Sequence, residues 1–272
     1  MTAAKIQQLG STATGDDNLL IKDVIYGPLP ESNDPTAMGI NILGLEQKIC
    51  SFDCPYCDLG RTTVRLNQLK GEGSFPSLEK LTIEITDAFK KIHSEGPMAN
   101  EFCISGNGEP TLHPEFPEIV KAILAARNLW LPGKKISILT NGALADTRKI
   151  TDALNLLDER IIKIDAGNEK AFKLANAPLS RTNLARVLAG VRKMKDVTVQ
   201  SLFFGGTLTN TSTIDVDDWI EVIAMLKPKS VRILGMSRPS SVPGLVRCEQ
   251  DTLYAIASRL ERKTQIKAVV KP

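Results

Sequence analysis

Three thiols lie within eight residues in Cys50-Ser-Phe-Asp-Cys54-Pro-Tyr-Cys57, and they are three of the chain's five cysteines. The spacing is C-x3-C-x2-C. A disulfide framework calls for an even cysteine count and a secretory context, and neither is present. A structural zinc site draws four Cys or His ligands, commonly from paired knuckles. Cys103, Cys248, His93 and His113 form no second knuckle here. Three thiolates on one loop suit a [4Fe–4S] cluster, which is normally held by cysteines. The fourth iron would then be open to another ligand. Zinc binding and plain packing are the competing readings.

The rest of the chain must position this loop. Its 272 residues allow one large domain or two small ones. Hydrophobic residues make up 42% and charged residues 24%, the balance of a soluble globular protein. No apolar run is long enough to span a bilayer, and the N-terminus lacks the apolar core of a signal peptide. With oxygen-sensitive thiol chemistry, this points to the cytoplasm. A net charge of +3 and 5% aromatics do not advertise a nucleic-acid surface.

Residues 1–20 read as a loosely ordered polar arm, and 21–272 as a single domain. A short strand over Ile21–Tyr26 and the turn Gly27-Pro-Leu-Pro30 lead to a buried strand, Met38–Leu43. Beyond the cysteine loop, 61–73 is polar and irregular. Ser77 then caps a helix whose Leu78, Leu81, Ile85, Phe89 and Ile92 recur at helical spacing. Strands follow at Glu101–Ser105, Lys135–Thr140, Arg160–Asp165, Val197–Phe204, Ser230–Gly235 and Ile266–Val270. Helices alternate with them near 115–128, 146–157, 168–175, 181–195, 215–227 and 249–263. Such order implies a parallel sheet covered by helices. Six principal strands from Met38 to Gly235 favour a partial (β/α)6 TIM-like barrel. Chemistry gathers at the strands' C-terminal ends in such folds. The cysteine loop, Gly106–Pro110, Asn141-Gly142, Asp165–Gly167, Gly205-Gly206 and Gly235–Pro239 all follow a strand and would meet at one mouth.

The cysteine loop together with Gly106-Asn-Gly-Glu-Pro110 resembles the radical S-adenosylmethionine superfamily. Further segments resemble its wyosine-synthesis-related iron–sulfur oxidoreductase group. These are Gly27–Pro30, Met38–Leu43, Cys50–Thr62, Ser105–Pro114 and Lys163–Gly167. The resemblance implies that Cys50, Cys54 and Cys57 bind three irons of a [4Fe–4S] cluster, while S-adenosylmethionine chelates the fourth. It implies that Tyr56 contacts adenine. It also implies that the backbone of Gly106, Asn107 and Gly108 approaches the methionine moiety, with Glu109 more structural than ligating. Two departures stand out. Glu31–Asp34 replaces a frequent basic pair, and no cysteine precedes Cys50, which argues against the second cluster of the wyosine enzyme.

Other strand ends are weaker signals. Asn141 is a candidate cofactor contact or a plain turn residue. Lys163 and Asp165 share one strand face and, inside a barrel, must be paired or functional. Gln200, on the next strand, is a candidate for the cofactor's ribose or carboxylate. Arg238 is a candidate anion clamp or a surface arginine. Cys103 and Cys248 read as packing residues, and His113 as a helix-entry residue. The resemblance implies a reductant such as flavodoxin or ferredoxin, and a small molecule or RNA as substrate, with no membrane partner. Rival readings are an activase that installs a glycyl radical on a partner protein, and a non-enzymatic electron carrier.

Overall fold

The computed structural model describes residues 20–29, 32, 34–64, 75–96, 99–179, 181–240 and 242–271. The expected N-terminal arm, apart from Leu20, lies outside the described residues, as do 65–73 of the polar stretch after the cysteines.

Eight strands form one sheet. The six anticipated barrel strands are β2 (Met38–Ile40), β3 (Glu101–Ile104), β4 (Lys135–Thr140), β5 (Glu159–Lys163), β6 (Val197–Leu202) and β8 (Ser230–Leu234). They pair in that order, all parallel. The last strand, β10 (Ala268–Lys271), extends the parallel sheet beyond β8, and β1 (Ile25–Tyr26) adds an antiparallel edge beside β2. The edges β1 and β10 are not paired with each other, so the barrel is partial. The Lys271 ammonium donates across that seam to the Ser32 carbonyl.

Alternation along the strands creates two faces. One is apolar: Phe102, Ile138, Ile162 and Val231 belong to the core beneath the helices. Helix α1 (Leu78–Glu95) brings Leu81, Ile85, Phe89 and Ile92 to that core, and Ser77 accepts from Lys80 N at its start. The Phe89 and Phe102 rings meet at 4.8 Å. The other face is polar. Glu101 accepts from Ser137 Oγ at 2.5 Å, and Glu159 from Thr198 Oγ1 at 2.7 Å. Helices α2 (Phe116–Trp130), α3 (Arg148–Leu154), α4 (Glu169–Asn176), α5 (Leu184–Val191), α6 (Thr213–Leu226) and α7 (Gln250–Thr264) complete the outer layer.

Several strand boundaries differ from expectation; the strand expected over Ile21–Tyr26 is confined to Ile25–Tyr26. The strand expected over Val197–Phe204 breaks after Leu202. Phe203 N donates to Leu234 O at 2.8 Å, while Phe204 N turns to the Asn210 side chain at 2.9 Å. From there β7 (Phe204–Gly206) forms a separate antiparallel ribbon with β9 (Leu245–Arg247). The strand expected over Met38–Leu43 is regular only to Ile40, because Asn41 folds its side chain back to accept from Leu43 N at 3.2 Å.

His113 does stand at the entry to α2. Its Nε2 donates to Pro76 O at 2.9 Å, and its Nδ1 accepts from Glu115 N at 3.1 Å, which fixes a neutral ring. Burial lowers its pKa below the ordinary 6.5. The unfolded chain therefore binds this proton first as pH falls, and stability is lost on going below 6.5. The loss is at most about 1.4 kcal/mol per pH unit. Thermal melts of wild type and His113→Gln between about pH 7 and pH 5 check this, since the variant lacks that component.

Candidate active site

The cysteine loop is pinned on both flanks. On one side Ile49 is zipped to the loop after β3: Ile49 N donates to Asn107 O, and Glu109 N donates to Ile49 O, both at 2.8 Å. On the other side Asp53 N reaches the C-terminus of α4, donating to Asn176 O at 3.2 Å and Ala177 O at 3.1 Å. Phe52 is buried against the Phe172 ring at 5.5 Å. The Asp53 carboxylate holds the returning chain through Thr62 N at 2.7 Å and Arg61 at 2.6 Å.

This staging points Cys50, Cys54 and Cys57 into one cavity of about 260 Å³. All three are free and half-buried. Burial first, and then the neighbouring Cys54, push the Cys50 thiol well above its usual range. Burial and the charge of Asp165 push Cys54 up to about 11. Such thiols become thiolates only beside a strong cation. Amide donors stand ready for the anionic form. Phe52 N and Asn141 Nδ2 lie 3.4 and 3.7 Å from Cys50 Sγ, and Asn176 Nδ2 lies 3.6 Å from Cys54 Sγ. Among the described residues, no three His, Cys, Asp or Glu side chains converge to hold a single metal ion. All three thiols border the same cavity, and no fourth Cys or His is among its described lining residues. The donor set fits a cluster better than zinc.

The Gly106–Pro110 turn forms the adjoining wall, with Gly106, Gly108 and Glu109 lining the cavity. Each part has a distinct local cause. Gly106 and Gly108 adopt φ of 130° and 135°, open to glycine alone. A Cβ on Gly108 would sit 1.8 Å from Ile49 O, and one on Gly106 would sit 2.5 Å from Asn41 Oδ1. The Asn107 side chain faces away from the cavity. It bonds Ile21 N at 2.8 Å, Ile21 O at 2.9 Å and Gly44 O at 2.9 Å. Glu109 is fully engaged, accepting from Thr111 N, Thr111 Oγ1, Thr140 Oγ1 and Asn141 N at 2.5–3.1 Å. Burial nevertheless raises its pKa. Its carboxylate ties the end of β3 to the end of β4, and so orients Asn141, whose amide also holds Ser51 Oγ at 2.9 Å.

Across the cavity, Tyr56 is buried and donates to the Asp165 carboxylate. Asp165 is saturated by Tyr56, by Asn176 Nδ2 at 2.7 Å and by Leu202 N at 2.8 Å. Lys163 keeps its ammonium 3.8 Å from Asp165 and 5.1 Å from the Tyr56 ring centre, facing the cavity. Gln200, in register with Lys163 on the next strand, lines it too. Arg238 is exposed and lies outside the cavity lining. The turn after β8 instead brings Ser237 to Asp58 at 2.9 Å and Ser240 to Pro55 O at 2.6 Å.

Some site residues escaped the sequence reading. Asn176 supports both Cys54 and Asp165, and Lys48, buried two positions before Cys50, lines the cavity while donating to Gly60 O at 2.7 Å. Neither carries a motif; only the fold places them. Cys248 packs in the core as expected. Cys103 is buried, yet it borders a second cavity inside the barrel rather than the core under the helices.

The "UPF0026 protein slr1464" of Synechocystis sp. is 26% identical over 222 residues, spanning 79% of this chain and 76% of that protein. Among solved structures, a radical SAM methyltransferase from Sphaerobacter thermophilus superposes with a TM-score of 0.63 at 14% identity, over 86% of this chain and 65% of that one. Archaeal TYW1 superposes with a TM-score of 0.54 at 13% identity, over 85% and 74%. Both share the fold. Residues 47–227, from just before the first cysteine to the end of α6, match the family described as the Radical SAM superfamily. The chain therefore belongs to the radical SAM superfamily, whose enzymes work with a [4Fe–4S] cluster and S-adenosylmethionine.

Proposed function

We propose that this chain carries one [4Fe–4S] cluster on Cys50, Cys54 and Cys57 and cleaves S-adenosylmethionine reductively to start a radical modification of a substrate. The observation that carries the reading is the shared cavity. Among the described residues three thiols and no further thiol face it, beside glycine backbone, the amides of Asn141, Asn176 and Gln200, the ammonium groups of Lys48 and Lys163, and the Tyr56 ring. When bound, the cluster supplies the electron that breaks the sulfonium bond.

The chain's own residues bind and orient. Asn141 and Asn176 donate to thiolate sulfur. Backbone at Gly106 and Gly108 leaves room for the methionine ammonium and offers it acceptors. Tyr56, immobilised by Asp165, presents its ring to adenine. Lys163 and Gln200 supply donors for the cofactor's carboxylate and ribose. Asn107, Glu109 and Asp165 hold these groups in place. Arg238, being exposed, is assigned no cofactor contact; it is left as a contact for substrate arriving at the mouth. No helix among the described residues is long and apolar enough to cross a membrane. We place the enzyme in the cytoplasm, with flavodoxin or ferredoxin as reductant.

Equilibrium binding of S-adenosylmethionine to the anaerobically reconstituted chain tests the reading. An electron carrier would show no binding. Lys163→Ala is expected to weaken it about tenfold, the loss of one charge-assisted bond, with iron content unchanged. Unaltered affinity would remove Lys163 from the cofactor site.

A further inference from the structure

Inside the barrel lies a second cavity of about 340 Å³. It shares Ser105, Leu139 and Gln200 with the cysteine cavity, so the two adjoin. Arg232, on β8, lines the inner one and is only 5% exposed. Its Nη2 gives a single bond of 3.1 Å to Glu159 Oε1, an oxygen that also accepts from Thr198. Its Nε is buried with no hydrogen-bond partner. A guanidinium is costly to bury, and a purely structural pair would use its fork more fully. Here part of the fork makes no bond, and the side chain borders a chamber walled by apolar Leu139, Ile161 and Pro28 together with polar Tyr26, Ser105 and Gln200 and the acidic Glu101 and Asp58.

The register gives the opening a direction. Arg232 is the cross-strand partner of Gln200, and Gln200 of Lys163. A line of donors thus runs from the inner cavity toward Tyr56. We propose that Arg232 binds the carboxylate of a small organic acid, which is the substrate held beneath the S-adenosylmethionine site. The substrate role rests on the radical-enzyme reading above; the binding site does not. The chamber suits a small metabolite rather than a polymer chain. Glu159 beside the guanidinium, with Glu101 and Asp58 also on the chamber's walls, disfavours a dianionic phosphate more than a single carboxylate.

The test is calorimetric titration of the reconstituted full chain, with S-adenosylmethionine present, against acetate, butyrate, glutarate and glutamate. Butan-1-ol and inorganic phosphate are the comparators. At least one carboxylate is expected to bind saturably while the comparators do not. Arg232→Gln should weaken that binding about tenfold or more. Glu159→Gln, which frees the guanidinium, should strengthen it by about the same factor. Should Arg232→Gln not fold, the Glu159→Gln arm decides. Binding of the alcohol equal to that of the acids, a preference for phosphate, no carboxylate binding, or unchanged affinity in both variants would overturn the proposal. Carboxylate binding by a wild-type chain that cleaves no S-adenosylmethionine would support the site and sink the radical-enzyme reading instead.

Discussion

Cys54→Ala is expected to leave the reconstituted chain with no stable cluster and no S-adenosylmethionine cleavage above background. In the proposed site each of the three thiols would supply one iron with its only protein ligand, so the loss would not be graded. Cys54 is held at both its sulfur and its backbone. Asn176 Nδ2 lies 3.6 Å from its sulfur, and Cys57 N donates to its carbonyl at 3.1 Å. The alanine variant removes the sulfur and little packing, so the fold should survive. Iron and sulfide content with the visible absorbance of the reconstituted protein gives the answer. Cys248→Ala is the matched control. That thiol belongs to the core, and its removal is expected to leave iron content unchanged at a modest stability cost of about 1 kcal/mol. Full iron content in the Cys54 variant would mean that the cluster is held elsewhere.

Gly108→Ala is expected to do nearly as much damage without touching a ligand. The added Cβ would lie 1.8 Å from Ile49 O, backbone that cannot rotate away. Ile49 is bonded on both sides to this turn, so relief must move the residue next to Cys50. The φ of 135° is itself barred to alanine. A destabilisation of about 4 kcal/mol or more is anticipated, in the range reserved for core disruption, together with loss of most bound iron. Gly60→Ala is the comparison without a collision. Gly60 also has a positive φ, 71°, but nothing lies within 4 Å of its added Cβ. It should cost about 1 kcal/mol and keep the cluster. Thermal melts and iron content read both variants. Equal costs at the two positions would mean that backbone strain, not the collision with Ile49, governs Gly108.

Local chemistry was legible in the sequence and long-range chemistry was not. Three cysteines on one loop announce themselves because a cluster needs closely spaced thiolates. Helix α1 was readable because its buried residues recur at helical spacing from a serine cap. The barrel order was readable because apolar strands alternated with amphipathic helices. By contrast, Asn176 becomes a cluster support only when the end of α4 docks on the cysteine loop, 122 residues from Cys54. Alternation puts Asp165 inside the barrel, where it must be paired or functional. Nothing local reveals that Tyr56, Asn176 and Leu202 already occupy it. Gly108 looked like an opening for a ligand, whereas its first necessity is the passage of Ile49. Arg238 follows a strand, as site residues do, but the turn after β8 leaves its side chain outside the cavity.

One measurement bears most directly on the central claim. The chain is reconstituted anaerobically with iron and sulfide, reduced in the presence of S-adenosylmethionine, and the products are separated by chromatography. 5′-Deoxyadenosine is the expected product, formed by wild type and absent from Cys54→Ala. A reduced, iron-loaded chain that yields neither 5′-deoxyadenosine nor any other cleavage product would contradict that claim.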